Sequence, residues 1–403
     1  MPDHQRPRTP PPEAAATIFL AFLRLGLTAF GGPIAHLEYF RREFVERRGW
    51  LSAQAYGDLV ALCQFLPGPA SSQTGIGLGL MRGGLRGALA AWLGFTLPSA
   101  LAMTAFALLL THVGALAHGT WLHGLKLVAV AVVAQALWGM GRSLCPDRER
   151  ASLAVAAAVL AALMPGVSGQ LAVILLGAVA GRWLLRPPVE AVHAPLHVPL
   201  RHRSAVVLLA AFGALLVGLP LLAASLHQPA LALFSSFYQS GALVFGGGHV
   251  VLPLLQAQVV PAGMDNSTFL AGYGAAQAVP GPLFTFAAFL GAASAQGPGG
   301  WLGAGVALLG IFLPSFLLVA GALPLWSGLR HHPAMRSALM GINAAVVGLL
   351  LAAFYDPVWT AAIHSPRDFA LALAALLLLQ VWKVAPWAVV VGGAALTAIL
   401  GWG

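Results

Sequence analysis

Apolar stretches separated by short polar loops fill almost the whole chain, and most are about as long as a helix needs to cross the roughly 30 Å hydrocarbon layer of a bilayer. Candidate spans fall near 15–32, 57–80, 87–111, 121–141, 151–164, 169–185, 204–224, 229–248, 268–293, 300–324, 337–355, 368–382 and 385–402, thirteen in all, with the fifth and sixth unusually short. The pattern predicts an all-α polytopic membrane protein. Two of these stretches carry the same interruption, "FLPGPASSQTG" around Pro67-Gly68-Pro69 and "AVPGPLFTF" around Pro280-Gly281-Pro282. A proline inside a helix removes a donor and pushes out a carbonyl at a cost of about 3 kcal/mol. Helices broken at Pro-Gly-Pro are therefore expected. Between the first two spans, "HLEYFRREFVERRGW" from His36 to Trp50 places Leu37, Phe40, Phe44 and Val45 at near-helical spacing among charges. This reads as an amphipathic helix lying in the membrane interface.

Composition agrees: 59% of the 403 residues are hydrophobic and 8% charged, far from the roughly 25% charged of soluble domains. The 47 glycines and 28 prolines would wreck a soluble bundle, but neighbouring helices re-satisfy broken backbone inside a membrane protein. The N-terminal "MPDHQRPRTPPPEAAATIF" has prolines where a signal peptide needs an apolar core. Residues 1–14 are expected to be a disordered cytoplasmic tail. Cys63 and Cys145 have no ligand or disulfide spacing.

The net charge of +9 is spread over short loops, with no stripe that would suggest nucleic acid. It serves better as a topology signal, because cytoplasmic loops collect Lys and Arg. With thirteen spans and the N-terminus inside, Arg6, Arg8, Arg82, Arg86, Arg142, Arg148, Arg150, Arg182, Arg186, Arg201, Arg203, Arg330, Arg336 and Lys383 lie inside, and Arg41, Arg42, Arg47, Arg48 and Arg367 outside. The four arginines of the amphipathic segment are the exception to the rule.

The two halves repeat. "FLRLGLTAFGGP" from Phe22 matches "FYQSGALVFGGG" from Phe237, Gln64 aligns with Gln277, the Pro-Gly-Pro runs align, "GFTLPS" from Gly94 matches "GIFLPS" from Gly310, and Gly124 sits opposite Gly341. Blocks in the same order at offsets of 213 to 217 residues indicate an internal duplication. The expected units are a first repeat over 15–186, a linker with one connecting helix over 187–228, and a second repeat over 229–403. Six spans per half and one extra helix turn the second half upside down, the inverted-topology repeat of many secondary transporters.

At each Pro-Gly-Pro a restarting helix exposes free N–H groups whose dipole attracts anions. Ser71, Ser72 and Gln73 follow the first break as small donors and caps; after the second only Thr285 is polar nearby. Gly31, Gly32, Gly246 and Gly247 supply a second pair of breaks that let backbone approach the same cavity. Two kinks made for packing would leave the same sequence. Arg24 in the first span and Lys126 in the fourth are intramembrane charges, functional by default, although a lysine there can also snorkel to the interface. Candidate substrate-binding residues are thus Arg24, Gly31, Gly32, Gln64, Pro67, Gly68, Pro69, Ser71, Ser72, Gln73, Lys126, Gly246, Gly247, Gln277, Pro280, Gly281 and Pro282. For proton coupling the candidates are His36, Asp58 and His249. No Walker A run, HExxH motif or paired catalytic carboxylates occur. A carrier driven by an ion gradient, with no cofactor or metal and no enzymatic activity, is expected.

The stretches "LTAFGGPIAHLEYFRREFV", "LCQFLPGPASSQTGIGLGL" and "WLGFTLPSA", with "FGGG", "QAVPGP" and "FLPS" in the second half, resemble the chromate transporter (CHR) family in its long, two-half form. The resemblance implies a proton-motive-force-driven exporter of chromate across the bacterial inner membrane. The motif residues it carries over are Arg24, Phe30, Gly31, Gly32, Pro33, His36, Gln64, Pro67, Gly68, Pro69, Ser71, Ser72 and Gln73, with Gly246, Gly247, Gln277, Pro280, Gly281 and Pro282. Partners are then chromate or a similar oxyanion, protons and the lipid bilayer, with a homodimer left open. Sulfate or an organic anion is the alternative cargo.

Overall fold

The computed structural model describes residues 13–112, 119–187, 202–326 and 332–402. Nearly all of the tail assigned to 1–14, and residues 188–201 of the linker, lie outside the described residues. Every regular element among the described residues is helical: α1 (Ala15–Thr28), α2 (Gly32–Phe40, continued by a π-helical turn Arg41–Arg47), α3 (Ala53–Phe65), α4 (Ala70–His112), α5 (Thr120–Leu144), α6 (Arg148–Leu163), α7 (Val167–Leu184), α8 (His202–Leu226), α9 (Pro229–Ala242), α10 (Val251–Val259), α11 (Asn266–Ala276), α12 (Phe286–Ala292), α13 (Gly300–Ala322), α14 (Pro333–Ala353), α15 (Pro366–Gln380) and α16 (Pro386–Leu400). Side-chain caps start several of them. Ser52, Asp147, Asp265 and Ser365 each accept a backbone N–H three residues on.

Each half opens with two helical hairpins rather than two through-going spans. Phe22 of α1 stacks on Phe44 at 4.7 Å and meets Phe40 edge-on at 5.4 Å, so α2 runs back along α1. Gly77 of α4 packs against Leu59 of α3, and Gly272 of α11 against Phe289 of α12; Phe237 of α9 and Val259 of α10 line one small cavity. The rising helices α1, α3, α9 and α11 have 14, 13, 14 and 11 residues, about 16–21 Å at 1.5 Å per residue, short of the bilayer core. This corrects the span count. The stretches 15–32, 57–80, 229–248 and 268–293 turn back at Phe-Gly-Gly or Pro-Gly-Pro, leaving nine of the thirteen candidates, six of them in helices long and apolar enough to cross a membrane among the described residues. Hydropathy measures how long an apolar stretch is, and a tight tip of Gly and Pro is as apolar as the helices it joins.

The correction removes the charge exception as well. Glu13 N–H donates to Arg82 O at 2.9 Å and its carboxylate lies 3.5 Å from the Arg82 guanidinium. Arg48 and Arg82 both sit over the Trp50 ring, at 5.6 and 5.7 Å. The start of α1, the α2–α3 connection and the bend in α4 thus share one end of the molecule. Arg41, Arg42 and Arg47 belong to that end, held in a surface ladder with Glu38, Glu46 and Glu43.

The bend divides α4 at Gly83 and Gly84, the latter at φ 63°, into two antiparallel pieces. Gly79 and Gly87 press backbone to backbone across it, and Gly291 and Gly303 do the same between α12 and α13. The closing helices of the halves are exchanged. α5 packs on α15 and α16 of the second half, while α14 packs on α6 and α7 of the first. Small residues allow the approach: Gly124 lies against Gly393 and Thr397, and Gly341 against Gly177 and Gly181. The halves read from sequence are consequently interlocked and share one core.

Candidate functional site at the hairpin tips

The four tips meet, each half closing on the other. Gly68 N–H donates to Val244 O at 2.6 Å, and Gly281 N–H donates to Ala29 O at 3.0 Å. Pro33 of the first Phe-Gly-Gly tip lies against Gly248 of the second. Gly68 at φ 127° and Gly281 at φ 104° adopt the left-handed region that a side chain resists. A methyl group at Gly68 would fall on Gln73 Nε2 and 2.9 Å from Ser315 Oγ; at Gly281 it would lie 2.8 Å from Ser99 Oγ and 3.2 Å from Phe95 O. Ser99 and Ser315 belong to the repeated "LPS" blocks. They stand 14 and 15 residues along the second piece of α4 and along α13, about 21–23 Å from those helix starts, which sets the junction near mid-depth.

Polarity at the junction is uneven. The rising helices end there on carbonyls, two of which are taken up by the crossed Gly68 and Gly281 bonds; Ala29 O is also within 3.2 Å of His36 Nε2. The descending helix α4 starts there on donors, since its first backbone bond is Gln73 N–H to Pro69 O. Ala70, Ser71 and Ser72 precede that bond and have no intrahelical acceptor. Ser72 Oγ, Ser315 Oγ, Thr96 Oγ1 and Gln277 Nε2 are buried and make no hydrogen bond within the described residues. Buried polar groups in folded proteins are normally satisfied. Such a set of donors around a crossing of backbone is suited to holding an oxyanion.

Of the residues singled out by sequence, Pro67, Gly68, Pro69, Ser71, Ser72, Gln73, Pro280, Gly281 and Pro282 lie at this junction, with Gly31, Gly32, Gly246 and Gly247 on the adjoining tips. Gln277 is half-buried beside its tip, whereas Gln64 is exposed. His36 is buried behind Ala29 with its ring edge-on to Phe95 at 5.2 Å. His249 follows the second tip and bonds Tyr273 Oη at 2.7 Å. Asp58 is buried in α3. Two cations stand elsewhere. Lys126 donates to Ser267 Oγ at 3.1 Å at the base of the α11 hairpin, about 15 Å from its tip. Arg24 is exposed on α1; Gly26, two residues on, faces Gly94 and Phe95, so Arg24 points away from α4. Ser315, Ser99 and Thr96 were not singled out by the sequence reading. Their signal was present in the aligned "GFTLPS" and "GIFLPS".

No solved structure matches the chain significantly. Among known proteins it is 30% identical over 394 residues to the chromate transport protein of Pseudomonas aeruginosa, covering 93% of this chain and 89% of that one. It is 27% identical to the chromate transport protein of Cupriavidus metallidurans, covering 97% and 94%. An uncharacterized transporter of Methanocaldococcus jannaschii is 28% identical, covering 84% and 83%. The pattern of the chromate transporter family matches residues 16–182 and again 231–398, once in each half, and the chain belongs to that family.

Proposed function

We propose that the protein is a secondary transporter that exports chromate, a tetrahedral dianion, across the bacterial inner membrane at the expense of the proton-motive force. The observation that carries this reading is the four-tip junction with its unpartnered buried donors, Ser72 in the first turn of α4 and Ser315 beside Gly68. A dianion there gains from the helix dipole and from hydrogen bonds to charge, worth about 1.5–3 kcal/mol each. Two hairpins from each half, related by inverted topology, would let the site open to either side in turn. Four spans per half with α8 between them preserve that inversion. The arginine-rich end that holds Arg48, Arg82 and the N-terminus is assigned to the cytoplasm by the positive-inside rule.

Arg24 and Lys126 then act on approach rather than at the junction. Arg24 heads an exposed strip with Thr28 and Gly31 that leads along α1 to the first tip. The deciding experiment is labelled chromate accumulation in inside-out vesicles containing the protein, with and without an inward-acid gradient, and with sulfate as competitor. Gradient-dependent accumulation that sulfate inhibits is expected, because a site of hydroxyls and N–H groups reads charge and shape. Accumulation indifferent to the gradient would remove the coupling, and no accumulation would remove chromate as the cargo.

A further inference from the structure

Outside the junction a buried ionisable pair sits where α5 of the first half meets α15 of the second, close to α11. His123 Nε2 donates to Asp368 Oδ1 at 2.7 Å, with both side chains 9% exposed. Asp368 Oδ2 accepts the His364 backbone N–H at 3.0 Å, and the His364 ring lies nearly parallel to His123 at 6.5 Å between centroids. One turn along α5, Lys126 bonds Ser267 at the base of the hairpin that carries Pro280-Gly281-Pro282. Between them, the Leu125 carbonyl presses on Gly274 of the same hairpin. α5 is thus tied to α15 by an ionisable pair and to a tip-bearing hairpin by direct backbone packing.

We propose that His123 and Asp368 form the proton-coupling site of the transporter, which rests on the transport reading above. The repeat itself argues against a purely structural role. The equivalent junction in the other half, α14 against α6, has Met340 at the place of His123, Asn343 at that of Lys126 and Arg150 at that of Asp368. Arg150 there bonds its own cap, Asp147. The same helix exchange therefore holds without the pair, and the pair occurs once, as a single-proton device would. With Nε2–H committed to Asp368, His123 Nδ1 is the atom that takes up the transported proton, and it makes no hydrogen bond among the described residues. Other ionisable groups on the elements packed here are His364, Asp265 at the cap of α11, Lys126, Asp356 with its carboxylate toward Thr360, and Arg367 over Trp402. Protonation converts a neutral imidazole into an imidazolium against a carboxylate, tightening α5 on α15. α5 can transmit that change to α11 and its tip.

The test uses the full-length protein in liposomes with two readouts, chromate–chromate exchange without a pH gradient and accumulation driven by one. Asp368→Asn and His123→Gln are expected to lose about tenfold or more of driven accumulation, with exchange within about twofold, in the range of typical coupling factors. Retained driven accumulation in both variants overturns the proposal while leaving chromate transport intact. Wild-type protein without exchange would instead overturn the transport reading. His364 is exposed, so His364→Ala tests the site with little risk to folding. It is expected to change the pH dependence of driven uptake while exchange stays within about twofold, and an unchanged pH dependence overturns the proposal.

Discussion

The two Pro-Gly-Pro tips share a backbone and differ in chemistry. Both glycines have positive φ, and both donate to a carbonyl of the opposite half. The chain after the first tip is Ala70, Ser71, Ser72, Gln73 and Thr74, and after the second Leu283, Phe284, Thr285 and Phe286. Even the paired serines differ, since Ser99 Oγ donates to Thr96 O at 3.1 Å whereas Ser315 Oγ has no partner within the described residues. Duplication preserved the device that brings backbone to the centre, while the run of polar side chains after the tip occurs in one copy. Exposure differs in the same sense. Ile34 beside the first Phe-Gly-Gly is 86% exposed, whereas Gly246 in the second is covered by Leu144, Asn343 and Met140.

The most severe way to break the comparison is at the tips themselves. Gly68→Ala places a methyl on Gln73 and Ser315 at a φ that L-residues resist, and should reduce chromate transport by about 100-fold or more. Gly281→Ala meets the Phe95 carbonyl and Ser99, whose hydroxyl already donates to Thr96 O, and should cost about tenfold. Equal losses measured in vesicles with matched protein levels would mean that the tips contribute alike.

Next in size are the serines. Removing a hydroxyl that donates to an anion costs about 1.5–3 kcal/mol, so Ser315→Ala should weaken the apparent affinity for chromate by about tenfold to a hundredfold. Ser99→Ala should stay within about threefold, having no free proton to offer. The concentration dependence of uptake separates them, and the reverse order would move the site toward the second tip.

Much of this was legible in the sequence. The duplication, the breaks at Gly68 and Gly281 and the polar run after the first were plain, because repeats and proline chemistry are local properties. Whether an interrupted stretch crosses or returns is decided by contacts such as Phe22 with Phe44 and Gly77 with Leu59, which no local property records. Arg41, Arg42, Arg47 and Arg48 on the wrong side of a thirteen-span topology were the available warning. The exchange of α5 and α14 between halves was out of reach for the same reason. With it went the meeting of His123 and Asp368, 245 residues apart.

A smaller effect is expected at Arg24, which is exposed and points away from α4. As a steering charge it should act on encounter, so Arg24→Ala should lower uptake at limiting chromate by about threefold to tenfold, an effect that fades as salt rises. Loss at all salt concentrations and at saturating chromate would instead place the guanidinium on the bound anion.

The smallest effect sharpens the other comparison, between the caps that open α6 and α15. Asp147 and Ser365 hold equivalent positions, and the residues three further on are Arg150 and Asp368. Arg150 turns back on Asp147 at 2.6 Å, while Asp368 reaches across to His123. The Arg150 side chain, then its backbone N–H, hold the Asp147 carboxyl below its ordinary value of 3.8. The stabilisation is therefore fully present above that value and is lost only as pH falls through the lower folded value. Acidification to pH 5 should leave this end of α6 unchanged. Asp147→Ala removes a cap worth about 1 kcal/mol and should shift the thermal midpoint slightly, with gradient-driven uptake within about twofold. If it uncouples transport as Asp368→Asn is expected to, the two junctions are equivalent, and the argument from their asymmetry fails.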